Sequence, residues 1–262
     1  MKLCDIERKI GNRIPLAWAE DWDNCGLSVG DPSQNILRIA LALDFTEDTV
    51  NLAISKKCQL LFTHHPAIFH PMKSIILYKP TPRAIALAIK NEIAVYSSHT
   101  NWDSSPEGVN FCLADKLELI DIKPLLRPTI SNGAWGLGAV GELTSAIDMN
   151  DCLRMLKGRW HVSSCIGYGE VSRKIKKIAI GGGSCGNMWQ DAVKANADVF
   201  ITSDVTYHQR QDLLGMGLNL TITDHGEMER VSLPTLSEII EKETFLPVVI
   251  LEETPVKQIT IL

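Results

Sequence analysis

The N-terminal half of the chain alternates between apolar segments typical of β-strands and segments that carry helix signals. Strands are predicted at 36–44, 60–62 and 93–97, and Thr46 is predicted to cap a helix over 47–57. Parallel strands need long crossover connections, which are usually helices. The pattern therefore predicts an α/β protein whose sheet is mostly parallel and covered by helices.

A second α/β pattern follows the segment 122–138, which contains two prolines and an Asn-Gly turn signal. We therefore predict two related α/β units with mixed, mostly parallel sheets, at residues 1–127 and 128–229. In the second half of the chain, Asn150 is predicted to cap a helix that reaches about Lys157, and the final helix is predicted to start near His225 and to bend or break near Pro234. The final strand, within 230–262, is expected to pack back on the first unit.

Composition limits the classes of protein that the chain resembles. Hydrophobic residues make up 45% of the 262 residues and charged residues 22%, as in soluble globular proteins. The net charge of −5 disfavours nucleic acid as a partner. The seven cysteines form no C-x-x-C pair, and no apolar run reaches the roughly 18 residues of a membrane span. We expect a cytoplasmic protein with free thiols and no signal peptide.

Two adjacent histidines, His64 and His65, end an apolar strand just before Pro66. Proline has no N–H and a fixed φ, so the strand is expected to end there. Sites in open α/β sheets lie at the carboxyl ends of strands. Taken alone, the pair is better explained by one histidine in the core and one in solvent, because successive strand residues point to opposite faces.

Further candidate ligands follow other predicted elements. Asp103 comes after a strand, where an exposed loop aspartate is the simpler explanation. Asp224 is expected to cap a helix on which His225 and Glu229 share one face. Together with the histidine pair, these side chains suit Zn²⁺, Mn²⁺ or Fe²⁺. Five such ligands fit two ions that share a carboxylate.

The segment 181–186 contains G-x-G-x-x-G between a strand and a predicted helix, and Asp204 follows about 20 residues later. This spacing is a formal dinucleotide fingerprint, although a tight strand-to-helix turn explains it somewhat better. Asn187-Met188 stand where a P-loop has Lys-Ser/Thr, which argues against a P-loop NTPase.

Five segments resemble, in order, the signature segments of one family. They read D-W-D-N-C-G-L-S-V-G, F-T-H-H-P-A-I-F, S-H-T-N-W-D, T-S-D-V-T-Y-H and D-H-G-E-M-E, and run from about residue 22 to residue 229. The family is the NGG-one-interacting-factor-three-like family, whose members are also labelled type 2 homologues of GTP cyclohydrolase I. The resemblance implies a dinuclear metal site between two α/β units, and assembly as a homohexameric ring.

The resemblance also assigns roles to residues. It places His65 and Asp103 on one of two divalent ions and His64 and His225 on the other, with Glu229 bridging both. The ions would be Zn, Mn or Fe.

Asp204 and His208 match the family's Asp-x-x-x-His and are candidates for catalytic acid/base or supporting roles, although a capped helix with a surface histidine explains the pair nearly as well. Two departures concern substrate choice: Ser203 replaces a common glycine, and Trp102 a common leucine.

Three functions follow from these observations. The first is a dinuclear metal hydrolase of a nucleotide or phosphoester, with GTP cyclohydrolase-like chemistry and a small-molecule substrate. The alternative is a metal-bearing, ring-shaped scaffold or regulatory binding protein with little turnover. The third is a dinucleotide-binding oxidoreductase that uses the glycine-rich segment. Metal binding would distinguish the hydrolase and the scaffold from the oxidoreductase. Turnover would distinguish the hydrolase from the scaffold.

Overall fold

The computed structural model describes residues 1–128 and 133–253. Its helices and strands follow one another along the chain as α1 (Leu3–Arg13), β1 (Gly26–Val29), β2 (Ile39–Ala42), α2 (Glu47–Ser55), β3 (Leu60–Thr63), α3 (Pro80–Lys90), β4 (Ala94–Ser97), α4 (Thr100–Asp103), α5 (Val109–Lys116), β5 (Ile120–Lys123), β6 (Ala139–Ile147), α6 (Met149–Trp160), β7 (Cys165–Tyr168), β8 (Ile175–Ile180), α7 (Trp189–Lys194), β9 (Val199–Thr202), α8 (Tyr207–Gly215), β10 (Asn219–Thr223), α9 (His225–Arg230), α10 (Leu233–Thr244) and β11 (Val248–Ile250). The predicted mixed α/β architecture is confirmed.

The chain divides into two compact units. The first contains Met1–Arg13, Trp22–His99 and the described chain from Ser237 onward, and the second contains Ile14–Asp21 and Thr100–Leu236. A division was predicted near residue 128, whereas in the structure residues 100–127 group with the second unit. The physical reason is that β5 pairs with β6 and extends the second sheet.

The first unit is built on a five-stranded sheet of order β1-β4-β3-β2-β11. All neighbours are parallel except β1 and β4. Every residue of β2, β3 and β4 is buried, as in sheets covered on both faces. Ala42 pairs with Thr63, and Thr63 with Ser97, so these three strands end at the same level. The segments that follow them therefore emerge side by side.

The second unit contains a six-stranded sheet of order β5-β6-β8-β9-β10-β7. Its β8, β9 and β10 run parallel, and its remaining pairs are antiparallel. A cluster of buried apolar side chains that includes Phe200, Leu213 and Leu220 packs on this sheet. The carboxyl ends of β8 and β9 lead into the glycine-rich segment and into Asp204.

Side chains that accept hydrogen bonds from backbone N–H groups cap the starts of several helices. Thr46 caps α2 as predicted, since its Oγ accepts a hydrogen bond from Thr49 N at 3.1 Å. The cap predicted at Asn150 was wrong: Asp148 caps α6 by accepting from Asp151 N at 2.9 Å. The break predicted near Pro234 is present, because α9 ends at Arg230 and α10 starts at Leu233.

In the described ranges, no helix combines the length and the apolar character that crossing a lipid bilayer requires.

Candidate metal centre

The two adjacent histidines lie in the first unit, just after β3. His64 is 1% exposed, and its Nδ1 lies 2.9 Å from the carbonyl oxygen of Ser98. His65 is partly buried, and its Nδ1 lies 2.7 Å from Asp44 Oδ1. The ring centroids are 4.9 Å apart, so the two rings lie together at the strand end. His64 is thus buried, whereas the His65 side chain is 26% exposed.

These contacts determine which nitrogen of each ring would bind an ion. A carbonyl or carboxylate oxygen beside Nδ1 accepts the ring N–H, so the tautomer carries its proton on Nδ1. His64 and His65 would therefore bind metal through Nε2. Partners of this kind orient metal-ligating histidines and increase their basicity.

In the second unit, the candidate residues lie around the start of α9. Asp224 caps this helix by accepting from Glu227 N at 2.8 Å, as predicted. His225 Nε2 lies 3.1 Å from Glu229 Oε1, which confirms that the two side chains share one helical face. Glu229 is 2% exposed. A carboxylate so deeply buried needs a compensating partner, and a cation is one such partner.

Asp204 follows β9 and supports His225. Its Oδ2 lies 2.8 Å from His225 Nδ1, so His225 also directs Nε2 away from its supporting carboxylate. Asp204 therefore has the geometry of a residue that orients a ligand.

His208 occupies a different place. It lies on the exposed first turn of α8, with its ring against Tyr207 at a centroid distance of 5.4 Å. Across the described ranges, no hydrogen bond joins His208 to Asp204.

Asp103 ends the short helix α4 and is 6% exposed, so it is not the solvated loop aspartate of the simpler explanation. Its carbonyl oxygen accepts from Asn110 Nδ2 at 3.0 Å. Asn110 Oδ1 in turn accepts from Gly182 N at 2.8 Å. One buried asparagine thus ties Asp103 to the glycine-rich segment.

The amides of this segment are used inside the protein. Gly182 N donates to Asn110, and Gly183 N lies 3.4 Å from Met228 Sδ. Gly183 O accepts from Thr202 Oγ1 at 3.0 Å and from Ser203 Oγ at 2.6 Å. These two amides are therefore not directed at a ligand phosphate, and the dinucleotide fingerprint is better explained as a structural turn.

The backbone of Gly183 lies close to two candidate ligands, His225 and Glu229. Its φ is +69°, a conformation that side-chain-bearing residues rarely adopt. A Cβ at this position would overlap Glu229 Oε1 and lie 3.1 Å from His225 Nε2. The missing side chain thus provides the space in which the two ligand atoms lie. This space and the mixed imidazole and carboxylate donors fit a divalent ion.

The charges around Cys185 also favour binding of a divalent cation. Burial raises the pKa of its thiol, and the carboxylates of Asp103, Glu229, Glu20 and Asp204 raise this pKa further. The raised pKa favours the neutral form of the Cys185 thiol. Several carboxylates acting on one buried group indicate a negative potential, which favours binding of a dication.

Ser203 and Trp102, the two departures from the family pattern, make hydrogen bonds near the candidate ligands. Ser203 is 6% exposed, and its Oγ contacts both Gly183 O and Asp204 Oδ2. Trp102 is fully buried, and its Nε1 donates to Ser232 Oγ at 3.1 Å. Ser232 Oγ donates in turn to Glu229 O at 2.9 Å. Both side chains thus hold the backbone that carries candidate ligands.

Sequence reasoning missed the supporting residues Asp44, Ser98, Asn110 and Gly183. A signal existed for Asp44, because it directly follows β2 and parallel neighbours end together. Asn110 lies inside a helix, and nothing in its local sequence indicates that it spans two segments.

Residues 1–255 match the family model described as Duf34/NIF3 (NGG1p interacting factor 3). A Clostridium perfringens protein named GTP cyclohydrolase 1 type 2 homolog is 37% identical over 242 residues, which cover 92% of this chain and 91% of that protein. Staphylococcus aureus protein SA1388 superposes with a TM-score of 0.89 at 26% identity, with 99% of each chain covered.

A Bacillus cereus protein related to NIF3 has a TM-score of 0.92 at 20% identity, covering 100% of this chain and 99% of that one, which shows the shared fold. The segments that suggested the resemblance lie inside the matched range. The chain belongs to the Duf34/NIF3 family.

Proposed function

We propose that this protein is a dinuclear metal hydrolase whose substrate is a nucleotide or another phosphoester. The observation that carries the proposal is the arrangement of imidazole and carboxylate side chains in each unit, with supporting oxygens at Nδ1 of His64, His65 and His225. The name GTP cyclohydrolase 1 type 2 homolog, carried by several relatives, supports nucleotide chemistry.

The proposed ligand set draws on both units. The residues that would hold the two ions are His64, His65, Asp103, His225 and Glu229, with Glu229 shared between them. The donors suit Zn²⁺, Mn²⁺ or Fe²⁺. When bound, such ions supply Lewis-acid polarisation of a phosphoryl or carbonyl oxygen and stabilise the negative charge that develops on it.

The remaining roles belong to the protein's own groups. Asp204 holds the Nδ1 proton of His225 and so fixes the direction of Nε2. His208, on the exposed turn of α8, is proposed to transfer a proton to or from the substrate.

Loss of the His208 imidazole is expected to lower turnover while metal content is unchanged. His208→Ala should reduce the hydrolysis rate by roughly 10² to 10⁴, the usual contribution of a positioned proton-transfer group. The measurement pairs elemental analysis with a screen of nucleotides, GTP included, and responsive phosphoesters. His161→Ala, at the end of α6, is the matched control and should react at the wild-type rate.

A wild-type rate in His208→Ala would remove the proton-transfer role. If the metal-loaded wild type turns over none of the nucleotides or phosphoesters, the scaffold or regulatory function becomes the better account.

We also propose that the chain forms a homohexamer in the cytoplasm. Free cysteines support a reducing compartment. Between residues 69 and 78 of the first unit, six large apolar side chains are exposed, which favours burial by another surface. They are Phe69, Met72, Ile75, Ile76, Leu77 and Tyr78.

Light scattering of the wild type should give about six times the mass of one chain, because the exposed apolar segment is proposed to lie in the interface between subunits. The double variant Ile75→Lys/Leu77→Lys should shift the mass to smaller species, because it buries charge without partners. Leu37→Lys, at an exposed position outside the segment, is the control. A monomeric wild type would contradict the hexamer.

A further inference from the structure

The first unit contains a cavity of about 710 Å³, lined by residues of α3 and of the end of β1. Most of the side chains that form its wall are apolar, and several of them are isoleucines. These isoleucines are Ile68, Ile75, Ile85, Ile89 and Ile93. Small-molecule sites are usually cavities of roughly 300–1,000 Å³ with mostly apolar walls and a few polar groups. This cavity has that size and that character.

The inner wall of the cavity is part of the core of the first unit. Val29, Ile85 and Ile93 are buried, and they belong to a cluster of buried apolar side chains. Ile75 and Ile89 are each 57% exposed, so the cavity reaches the surface on their side. A ligand can therefore reach the buried apolar wall from solvent.

Among the described residues that form the wall, those that carry charge are both acidic. Asp31 lies just past β1, and Glu92 lies just past α3. Ser33 N donates to Asp31 Oδ1 at 2.8 Å, and hydrogen bonds from Ser33 lower the pKa of this carboxyl, so it is ionised at neutral pH. Lys2 lowers this pKa further, but it is not part of the wall and its Nζ donates to Ser33 O at 2.6 Å.

Hydrogen bonds hold the two acidic residues on the same side of the cavity. Gln34 Nε2 donates to Glu92 O at 2.5 Å, and Gln34 N donates to Asp31 O at 2.9 Å. Gln34 thus ties the segment after β1 to the segment after α3. Ser28, another polar residue of the wall, donates its hydroxyl to Val95 O at 3.2 Å. The charge that a ligand meets here is therefore negative.

We propose that this cavity binds a small amphipathic amine, with its hydrocarbon part against the isoleucines and its ammonium group beside Asp31 and Glu92. The apolar wall stabilises a hydrocarbon chain by removing it from water. The two carboxylates attract a cation and repel an anion, so fatty acids and nucleotides are disfavoured. No candidate metal ligand is among the described residues of the wall, and the inference does not rest on the proposed hydrolase activity.

The first test compares probes of equal chain length and different charge on the wild-type protein. The probes are octylammonium, octanol and octanoate, and the readout is the NMR signals of isotope-labelled isoleucine methyl groups. Octylammonium should shift the signals of the wall isoleucines and leave those of Ile178 and Ile201, in the second sheet, unchanged. It should bind about five- to tenfold more tightly than octanol, because ion pairs at an exposed rim contribute modestly, and octanoate should bind most weakly. Butylammonium should bind at least about tenfold more weakly than octylammonium, since it buries fewer methylenes.

The second test changes the charge and the space of the cavity separately. Asp31→Asn/Glu92→Gln should bring the affinity for octylammonium to within about twofold of that for octanol. Asp48→Asn, at an exposed acid of α2 outside the wall, should leave the preference unchanged. Ile89→Trp should weaken binding of octylammonium and octanol by at least about tenfold, because its ring occupies space that the hydrocarbon chain needs. Ile166→Trp, at an exposed position of β7, is the control for this change.

Three results would overturn the inference. The first is equal affinity of the wild type for octylammonium and octanol, which would show an apolar cavity without preference for an amine. The second is the absence of methyl shifts at the wall isoleucines up to the solubility of the probe. The third is a change in the mass of the assembly in folded Ile89→Trp, which would show that another subunit occupies the cavity. If a variant fails to fold by circular dichroism, the probe series on the wild type decides alone.

Discussion

Glu229→Ala is expected to lose both divalent ions, falling from about two per chain to near zero. As the proposed shared ligand, Glu229 would help to hold both ions, so its removal would leave both with fewer ligands. The carboxylate is 2% exposed and lies 3.1 Å from His225 Nε2, so water does not readily replace it. Loss of a terminal ligand, as in His64→Ala or Asp103→Ala, should affect occupancy less. Elemental analysis after gel filtration measures the difference.

Two further variants test whether the charge of Glu229 itself is required. Glu229→Gln keeps the size of the side chain and removes its charge, so it should also bind metal much more weakly. Glu227→Ala changes a neighbouring acid of the same helix that accepts from Ser163 N, and should retain both ions. The chain is long enough to fold without metal, so each variant should keep its circular dichroism spectrum. Retention of both ions by Glu229→Ala would exclude the bridging role.

Gly183→Ala is expected to abolish metal binding although Gly183 is not itself a ligand. The added Cβ would overlap Glu229 Oε1 and press on His225 Nε2, so both ligand atoms must move. Because φ is +69°, the substitution also costs about 1–2 kcal/mol of backbone strain. Loss of metal should therefore accompany a modest fall in the free energy of unfolding, measured by urea titration.

Gly215→Ala is the matched control in the same unit, because a Cβ there meets no atom within 4 Å. It should keep metal and gain roughly 0.5–1 kcal/mol of stability, since Gly215 lies in helix α8. Normal metal content in Gly183→Ala would show that the space beside Glu229 is not needed. Submicromolar NAD(H) binding by the wild type would restore the dinucleotide explanation of this segment.

The sequence predicted the parts of this molecule that local chemistry determines. The Thr46 and Asp224 caps, the shared face of His225 and Glu229 and the break before α10 all depend on residues close together in the chain. The mixed α/β architecture followed from alternation of strands and helices. One error was local as well: the N-cap of α6 is Asp148, two residues before the predicted Asn150.

Contacts between distant residues were not predictable from one sequence. Asp23 and His99 are 76 residues apart, and Asn110 and Gly182 are 72 apart. No local pattern indicates such pairs, because their proximity depends on how strands order within a sheet. The role of Gly183 was missed for the same reason: its sequence context fits a nucleotide loop, whereas its conformation makes room for Glu229.

The proposed dinuclear metal centre is tested most directly by the metal content of the wild-type protein, purified without chelator, incubated with Zn²⁺ or Mn²⁺ and freed of excess ion by gel filtration. The account predicts about two ions per chain, by the number of proposed ligands and their shared carboxylate. A folded protein that retains no divalent ion under these conditions would contradict it.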